Sequence, residues 1–330
     1  MYELAGIIRG PINPEDLMPV PGTPWILTSG MTGPTAPLGR LYAIDTRDLS
    51  CAEVFPWDGT FQPDEMYGPT DGPLDPKVFE PHGIDVGIGP DGEPRLYVVN
   101  HGGKESVEIF GVDVSGRQPR LTWIGSLTLP HGLWGNDLVQ SDRGGVIVSS
   151  SFDISEGFQK GQVDMAAGLP NGAVGEWVPG EGWTLLEGGV LNSPNGVAVS
   201  DDGEWVYLAG WRSKLLRKFP RRPGPVEVID APCDVMIDNI TWSADRKSIL
   251  ATGAYDTSME EFGEAFFSGG PRVHFASKVW RFDAETMASE EIAAYGPDEY
   301  GVATTALEVG EEIWLGCMRF DGVARLTRRS

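Results

Sequence analysis

The sequence predicts an all-β protein in which one domain, residues 1–330, forms a six-bladed β-propeller with four-stranded blades. Two observations favour this fold class. Gly and Pro supply 44 and 26 of the 330 residues, alongside 11 Trp, 8 Tyr and 13 Phe, a mixture typical of short strands joined by tight turns. In addition, one strand–turn–strand pattern recurs six times along the chain.

Each copy of this repeat begins with a short apolar strand, continues through a turn and returns in a second strand, often rich in aromatic or β-branched residues. The turn is clearest in Gly83–Asn100, where it contains Asp-Gly-Glu, and in Asn195–Phe219, where it contains Asp-Asp-Gly-Glu. The first strands of the six copies begin near Glu15, Ile84, Asn136, Asn195, Asn239 and Thr304. Steps of 44 to 69 residues between these positions leave room for about four strands per copy, as in a propeller blade.

Two segments interrupt the repeat pattern. Residues 152–171 and 254–272 are long and irregular, and either could form a short helix or a lid. No long helix is predicted.

The charge balance restricts the classes of partner. Lys and Arg number 25 against 48 Asp and Glu, a formal net charge of −23. Such a surface repels nucleic-acid phosphates and anionic membranes, so neither is predicted as a partner. It favours cations, although solubility alone explains most of the acidic excess.

No apolar run approaches the 18 residues of a membrane span, and no signal peptide is recognisable, so a cytoplasmic location is expected. Three cysteines form no paired framework. A disulfide between Cys51 and Cys317 requires the two ends of the chain to meet, which the sequence leaves open, as it does the oligomeric state.

Polar residues precede or begin the first strand in five of the six copies. They are Glu15-Asp16, His82, Asn136-Asp137, Asn195 and Asp238-Asn239. Since the innermost strand of every propeller blade lines the central tunnel, we expect these side chains to converge there. Carboxylates and amides are costly to bury without a balancing cation, and Ca²⁺ takes six to eight oxygen ligands of these types. For any single copy, an ordinary turn residue is the alternative interpretation.

Six short strings in the chain resemble the calcium-dependent paraoxonase and arylesterase family, a relative of the senescence-marker-protein-30 and gluconolactonase lactonases. The strings are PEDL at 14–17, PHGI at 81–84, VVNH at 98–101, GNDLV at 135–139, NSPNGVAVS at 192–200 and IDNITW at 237–242. The resemblance runs from about Glu15 to Leu326. It implies a six-bladed propeller with two Ca²⁺ ions in its tunnel.

The resemblance also implies roles for individual residues. The catalytic-ion ligands would be Glu15, Asn136, Asn195, Asp238 and Asn239, and the structural-ion ligands would be Asp16, Asp137 and the backbone carbonyl of Ile84. His82 and His101 match the family's histidine pair, the first as general base and the second as its partner. Each could instead be a histidine held by a core hydrogen bond. The other two histidines, His131 and His274, match no role.

The implied activity is the hydrolysis of lactones or carboxylic esters, in which Ca²⁺ polarises the carbonyl and a water activated by His82 attacks. Within the same site, Asp238 or Glu15 could act as base or nucleophile. Three alternatives stay open: a sugar-lactone hydrolase of the gluconolactonase kind, another propeller reaction such as a lyase, and a non-catalytic propeller stabilised by calcium.

The natural substrate stays open at the level of the sequence. Met66-Tyr67 and the phenylalanines at 152, 158, 262 and 266–267 favour a pocket mouth more apolar than a sugar would need, although the same residues could pack loops onto the rim. The balance between lactonase, arylesterase and phosphotriesterase activity is not predicted. The apolar N-terminal helix of the family's serum members has no counterpart here, so membrane attachment is not expected.

Overall fold

The computed structural model describes residues 1–34, 36–55, 61–70, 72–222, 224, 227–267 and 273–329, with only the backbone of 266–267. It consists of six four-stranded antiparallel sheets. The predicted all-β, six-bladed propeller is therefore confirmed.

Five blades are built from four strands that follow one another along the chain. Blade 1 contains β2 (Pro14–Pro19), β3 (Trp25–Gly30), β4 (Arg40–Asp45) and β5 (Cys51–Phe55). Blade 2 contains β6 (Pro81–Ile88), β7 (Pro94–Asn100), β8 (Ser106–Asp113) and β9 (Arg120–Thr128). Blade 3 contains β10 (Leu133–Gln140), β11 (Val146–Asp153), β12 (Ala173–Val178) and β13 (Gly182–Leu185). Blade 4 contains β14 (Pro194–Val199), β15 (Trp205–Gly210), β16 (Leu215–Pro220) and β17 (Ile229–Pro232). Blade 5 contains β18 (Val235–Trp242), β19 (Ser248–Tyr255), β20 (Ser277–Asp283) and β21 (Ser289–Tyr295).

The sixth blade joins the two ends of the chain. Strands β22 (Ala303–Val309), β23 (Glu312–Cys317) and β24 (Asp321–Arg328) are completed by β1 (Tyr2–Ile12), which pairs antiparallel with β24. The sequence pattern does not reveal this pairing. It closes the ring because the outer strand of the last blade comes from the start of the chain.

The innermost strands form a closed ring around the tunnel. Strand β2 contacts β6, which contacts β10, and the series continues through β14, β18 and β22 back to β2. Each first-strand start identified in the sequence lies within one of these six strands. All six residues of β14 are buried, which fits a strand covered on both faces by neighbouring blades.

Each predicted insertion contains one short helix. Helix α1 (Phe158–Ala166) lies between β11 and β12, and α2 (Met259–Phe267) lies between β19 and β20. The amide of Asn192 anchors the end of α1 by donating to the carbonyls of Met165 and Leu169, at 3.1 and 2.6 Å. No described helix is long and apolar enough to cross a bilayer.

All three cysteines are free thiols, so the pairing left open by the sequence is absent. Cys317 is fully buried in a cluster with Tyr300 and Phe320. Cys51 packs in a different cluster, beside Ile8.

Strand β1, which completes the sixth blade, should contribute measurably to stability. Ile8 of β1 is 4% exposed and packs with residues of blades 1 and 6, among them Trp314 and Val323. We expect Ile8→Ala to lower the free energy of unfolding by about 2–4 kcal/mol, because it leaves a cavity between these blades. Ile12→Ala, at a position of the same strand that is 38% exposed, is the matched control and should cost less than about 1 kcal/mol. Urea denaturation of both variants measures the difference, and equal losses would contradict this role for β1.

Candidate metal centre and substrate pocket

The predicted ligands sit at one recurrent irregularity of the fold. In every blade, the pairing between the first and second strands shifts register across two residues near the start of the first strand. The skipped pairs are Glu15-Asp16, His82-Gly83, Asn136-Asp137, Asn195-Gly196, Asp238-Asn239 and Thr304-Thr305. Because such bulges release residues from the ladder and redirect their side chains, they account for the polar groups in the tunnel.

Glycine occupies two of these positions because the neighbouring blade comes too close for a side chain. A Cβ on Gly83 would lie 2.6 Å from the Cα of Asp137, and one on Gly196 would lie 2.7 Å from the Cα of Asn239. Each glycine thus lets one tunnel residue pack against the backbone of another. The seven acidic and amide side chains of the predicted ligand sets are all buried, and Asn195 is the most exposed at 7%.

Two of the predicted structural-ion ligands also link adjacent blades. Asp16 accepts hydrogen bonds from the backbone N–H groups of Leu17 and Ile84, at 2.8 and 2.9 Å. Asp137 does the same with Leu138 and Val197, at 2.7 and 2.8 Å. Each aspartate therefore satisfies one N–H of its own strand and one of the next blade. Asp16 thus reaches the backbone N–H of Ile84, while the role of the Ile84 carbonyl as a ligand stays a prediction.

The catalytic-ion ligands carry oxygen atoms without partners. Glu15 Oε1 accepts from Asn239 Nδ2 at 2.7 Å, but Glu15 Oε2 and the Oδ1 atoms of Asn136, Asn195 and Asn239 accept nothing within the described chain. They are four of the seven buried side-chain polar atoms of the described residues that lack a partner. An unpaired buried acceptor costs free energy, and this set of carboxylate and amide oxygens fits a hard cation.

The predicted catalytic-ion site combines carboxylates with amides. Among the described residues, no group of three or more His, Cys, Asp or Glu side chains is placed to hold a metal ion. The predicted catalytic-ion set contains two carboxylates, Glu15 and Asp238, and takes its other three donors from asparagines. An ion held by this predicted set would take three of its five side-chain ligands from amides.

The tunnel raises the pKa values of its carboxyl groups. Burial raises the pKa of Asp16 to about 6 and that of Asp238 to about 7. Burial, together with the neighbouring carboxylates, holds the pKa values of Glu15 and Asp137 well above their usual range. The hydrogen bonds that these carboxyl groups accept offset the cost of burying their charged forms only in part, and a bound cation would supply further compensation.

The two predicted catalytic histidines are in contact. His82 Nδ1 lies 3.0 Å from His101 Nε2, and His82 Nε2 lies 3.9 Å from Glu15 Oε1. Burial and the neighbouring His101 hold the pKa of His82 well below its usual range, so this ring is neutral near pH 7. On its other side His101 contacts Glu105, which the sequence analysis did not identify.

A cavity of about 530 Å³ opens directly onto these groups. His82, Asn136, Asn195 and Asp238 line it, and its other walls come mostly from apolar residues of the blades and of both helices. The apolar lining residues are Met31, Trp134, Phe152, Val163, Met165, Ala166, Trp211, Met259, Phe262 and Met318. Gln159 and Gln162 of α1, with Ser151 and Ser193, are the neutral polar side chains besides the asparagines.

The aromatic residues expected at the mouth are placed differently from one another. Phe152 and Phe262 line the cavity, while Phe158 packs edge-on against Trp134, 5.6 Å away. Tyr67 instead stacks on Trp177 and accepts a hydrogen bond from Arg95, so the 66–67 segment belongs to blade packing. The side chains of 266–267 lie outside the described part of the structure.

Trp134, Trp211 and four methionines of the pocket were not predicted. They lie on separate blades and loops and in both helices, and no local pattern in the sequence marks them as neighbours. Trp134 stacks on His101 at 4.2 Å between ring centroids, with 6° between the planes, and on Phe152 at 5.0 Å. The pocket wall thus extends to the histidine pair.

Comparisons with known proteins show the fold. No family model and no curated protein matches the sequence. Among similar solved structures are a calcium-binding protein, regucalcin, from Agrobacterium tumefaciens strain C58 (TM-score 0.56, 14% identity, 98% of this chain and 93% of that one) and a protein assigned as a gluconolactonase (0.56, 12%, 99% and 92%). A streptogramin B lyase is also similar (0.53, 12%, 99% and 97%). At these identities, the likeness leaves the reaction to be argued from the site.

The raised carboxyl pKa values predict how stability depends on pH and calcium. In a chelator, the melting temperature should fall as the pH rises from about 5 to 7.5. The pKa values of Asp16 and Asp238 are about 6 and about 7 in the fold against about 4 unfolded, so the stability from their protonated forms is lost as the pH rises through the folded values. The lowered pKa of His82 acts in the opposite direction, but it is one group against four carboxyls.

Calcium should reverse this trend. Added Ca²⁺ is expected to raise the melting temperature by several degrees, and by more at pH 7.5 than at pH 5, because the ligands bind it in their ionised form. Differential scanning calorimetry at both pH values, with Mg²⁺ as the control ion, measures the effect. A melting temperature unaffected by calcium at both pH values would contradict the proposed ion sites.

Proposed function

We propose that this chain is a calcium-dependent hydrolase of lactones and carboxylic esters. The observation that carries the proposal is the convergence of four unpartnered buried oxygen atoms beside a pocket that also contains one ring of a histidine pair. The likeness to regucalcin and to a protein assigned as a gluconolactonase is consistent with it. The sequence resemblance to paraoxonases supports the same reaction class.

Two ions are proposed, one for each ligand set. The catalytic ion would bind Glu15, Asn136, Asn195, Asp238 and Asn239, and the structural ion would bind Asp16, Asp137 and the carbonyl of Ile84. In the first set, two carboxylates balance the charge of one divalent cation, while the asparagines add dipoles without further charge. Ca²⁺ bound there would supply a Lewis acid for the substrate carbonyl and for the charge that develops on its oxygen.

The histidine pair supplies the base in this proposal. His82 lines the pocket and is neutral near pH 7, so its Nε2 can accept a proton from a water molecule positioned in the cavity. His101, in contact with the other nitrogen of that ring, orients it. A direct role for Asp238 or Glu15 as base is disfavoured if both carboxylates are occupied as ligands.

The composition of the pocket narrows the substrate class. Apolar residues form most of its walls, and their methionine and aromatic side chains offer dispersion contacts rather than hydrogen bonds. A sugar lactone presents several hydroxyl groups, which would find few partners among the neutral side chains of the wall beyond Gln159, Gln162, Ser151 and Ser193. The pocket therefore favours lactones or esters with an apolar acyl or aromatic group over gluconolactone.

A lyase is the second candidate, because the likeness to the streptogramin B lyase extends over 99% of this chain. The same neutral histidine could remove a proton from carbon instead of water. Isotope labelling separates the two reactions, since hydrolysis in H₂¹⁸O places ¹⁸O in the acid product and elimination does not.

The first test is a substrate panel with metal control. We expect turnover of an aliphatic lactone, a long-chain acyl lactone and phenyl acetate to exceed that of gluconolactone, with ¹⁸O in the acid product. Activity should vanish in EDTA and return with Ca²⁺. Full activity in excess chelator would contradict the calcium mechanism, and an unlabelled product would replace the hydrolase with the lyase.

The second test separates metal binding from proton transfer. His82→Gln should lower kcat by about 10²-fold or more, with calcium affinity retained, because the ring acts on the water and is not a proposed ligand. Asn195→Ala should weaken calcium binding and activity together, since it removes a ligand oxygen. His131→Gln, at an exposed histidine, is the control for both. Calorimetric titration with Ca²⁺ accompanies each assay, and undiminished turnover by His82→Gln would exclude it as the base.

A further inference from the structure

The histidine pair is the middle of a longer hydrogen-bonded chain. His101 Nδ1 lies 2.9 Å from Glu105 Oε2 and 3.1 Å from Oε1, while its Nε2 lies 3.0 Å from His82 Nδ1. A carboxylate and two imidazole rings are thus connected in series through three of the four ring nitrogens. The fourth, His82 Nε2, has no ring or carboxylate partner at hydrogen-bond distance.

The chemistry of these atoms fixes the direction of every hydrogen bond. An ionised carboxylate only accepts, so His101 Nδ1 must carry a proton and donate it to Glu105. When the ring is neutral, His101 Nε2 is then an acceptor, and the proton between the rings must belong to His82 Nδ1. His82 Nε2, the nitrogen nearer Glu15, is consequently the unprotonated nitrogen of that ring.

Two further contacts hold this arrangement in place. The N–H of Gly135 donates to Glu105 Oε2 at 3.3 Å, which ties the carboxylate to the residue preceding the predicted ligand Asn136. Trp134 stacks on the ring of His101 with 6° between the planes, which restricts rotation of that ring. The side chains of His101 and Glu105 are 10% and 20% exposed, so water competes only partly for these bonds.

We propose that Glu105 is a positioning residue that sets the tautomer of both histidines and thereby makes His82 Nε2 the proton acceptor of the site. The catalytic role of Glu105 rests on the proposed function, whereas the tautomers of the two histidines do not depend on that function. When His82 Nε2 takes a proton from water, positive charge develops on the ring pair. The Glu105 carboxylate stabilises that charge through His101 without itself having to be protonated.

The tautomers can be observed directly by ¹⁵N NMR of the full chain labelled at histidine and loaded with Ca²⁺. The four histidines are assigned from single His→Gln variants. In the wild type, both His82 and His101 should be protonated at Nδ1 and unprotonated at Nε2. In Glu105→Ala, this state should be lost at His101. A wild-type His101 protonated at Nε2, alone or in addition to Nδ1, would overturn the proposal, as would an unchanged spectrum in the variant.

Kinetics provides a second, independent readout. Glu105→Ala should reduce kcat by about 10- to 100-fold, with a KM change below about threefold and calcium affinity within about threefold of the wild type, because Glu105 is neither a residue of the pocket wall nor a proposed ligand. Glu105→Gln, whose amide oxygen can still accept from His101, should recover part of the loss. Glu80→Ala is the matched control, since Glu80 is an exposed carboxylate two residues before His82.

The two hypotheses fail in different ways. A kcat of Glu105→Ala within twofold of the wild type, in an active enzyme, would overturn the role of Glu105 and leave the hydrolase intact. A wild type without hydrolytic activity on any substrate would overturn the proposed function, while the NMR experiment would still decide whether Glu105 sets the tautomers.

Discussion

The stability of the propeller depends on how the cost of burying oxygen atoms in the central tunnel is compensated. Six bulged strands direct polar residues into one narrow volume, and four of those residues are carboxylates that burial makes costly to ionise. A tunnel lined by hydrophobic residues would avoid this penalty. The buried carboxylates therefore need an interaction that compensates for it. The proposed calcium ions provide that compensation and, at the same time, the chemistry of the pocket.

The compensation differs between the two ligand sets. Asp16 and Asp137 each accept hydrogen bonds from backbone N–H groups of two adjacent blades. An ion bound by these residues would strengthen a contact that already links the blades. The amide oxygens of Asn136, Asn195 and Asn239 have no such partners. One set is thus built into the blade packing, while the other is available to an ion next to the apolar cavity and the histidine pair.

Much of this could be predicted from the sequence because it is encoded locally. The innermost strands are continuous segments, and the ligand pairs occupy the same place in each repeat, so a recurring pattern identifies both. The β1–β24 pairing joins residues more than 300 positions apart and leaves no local signal. Trp134, Trp211 and the pocket methionines come from different blades, loops and helices. Glu105 becomes recognisable as a functional residue only when the structure shows its contact with His101.

A crystal structure of the calcium-loaded chain would show whether two calcium ions occupy the tunnel. Data collected at a long wavelength, where calcium scatters anomalously, should show two peaks. One should be ligated by Glu15, Asn136, Asn195, Asp238 and Asn239, and the other by Asp16, Asp137 and the Ile84 carbonyl. A tunnel without anomalous peaks, filled by water alone at saturating calcium, would show that the proposed calcium sites do not exist.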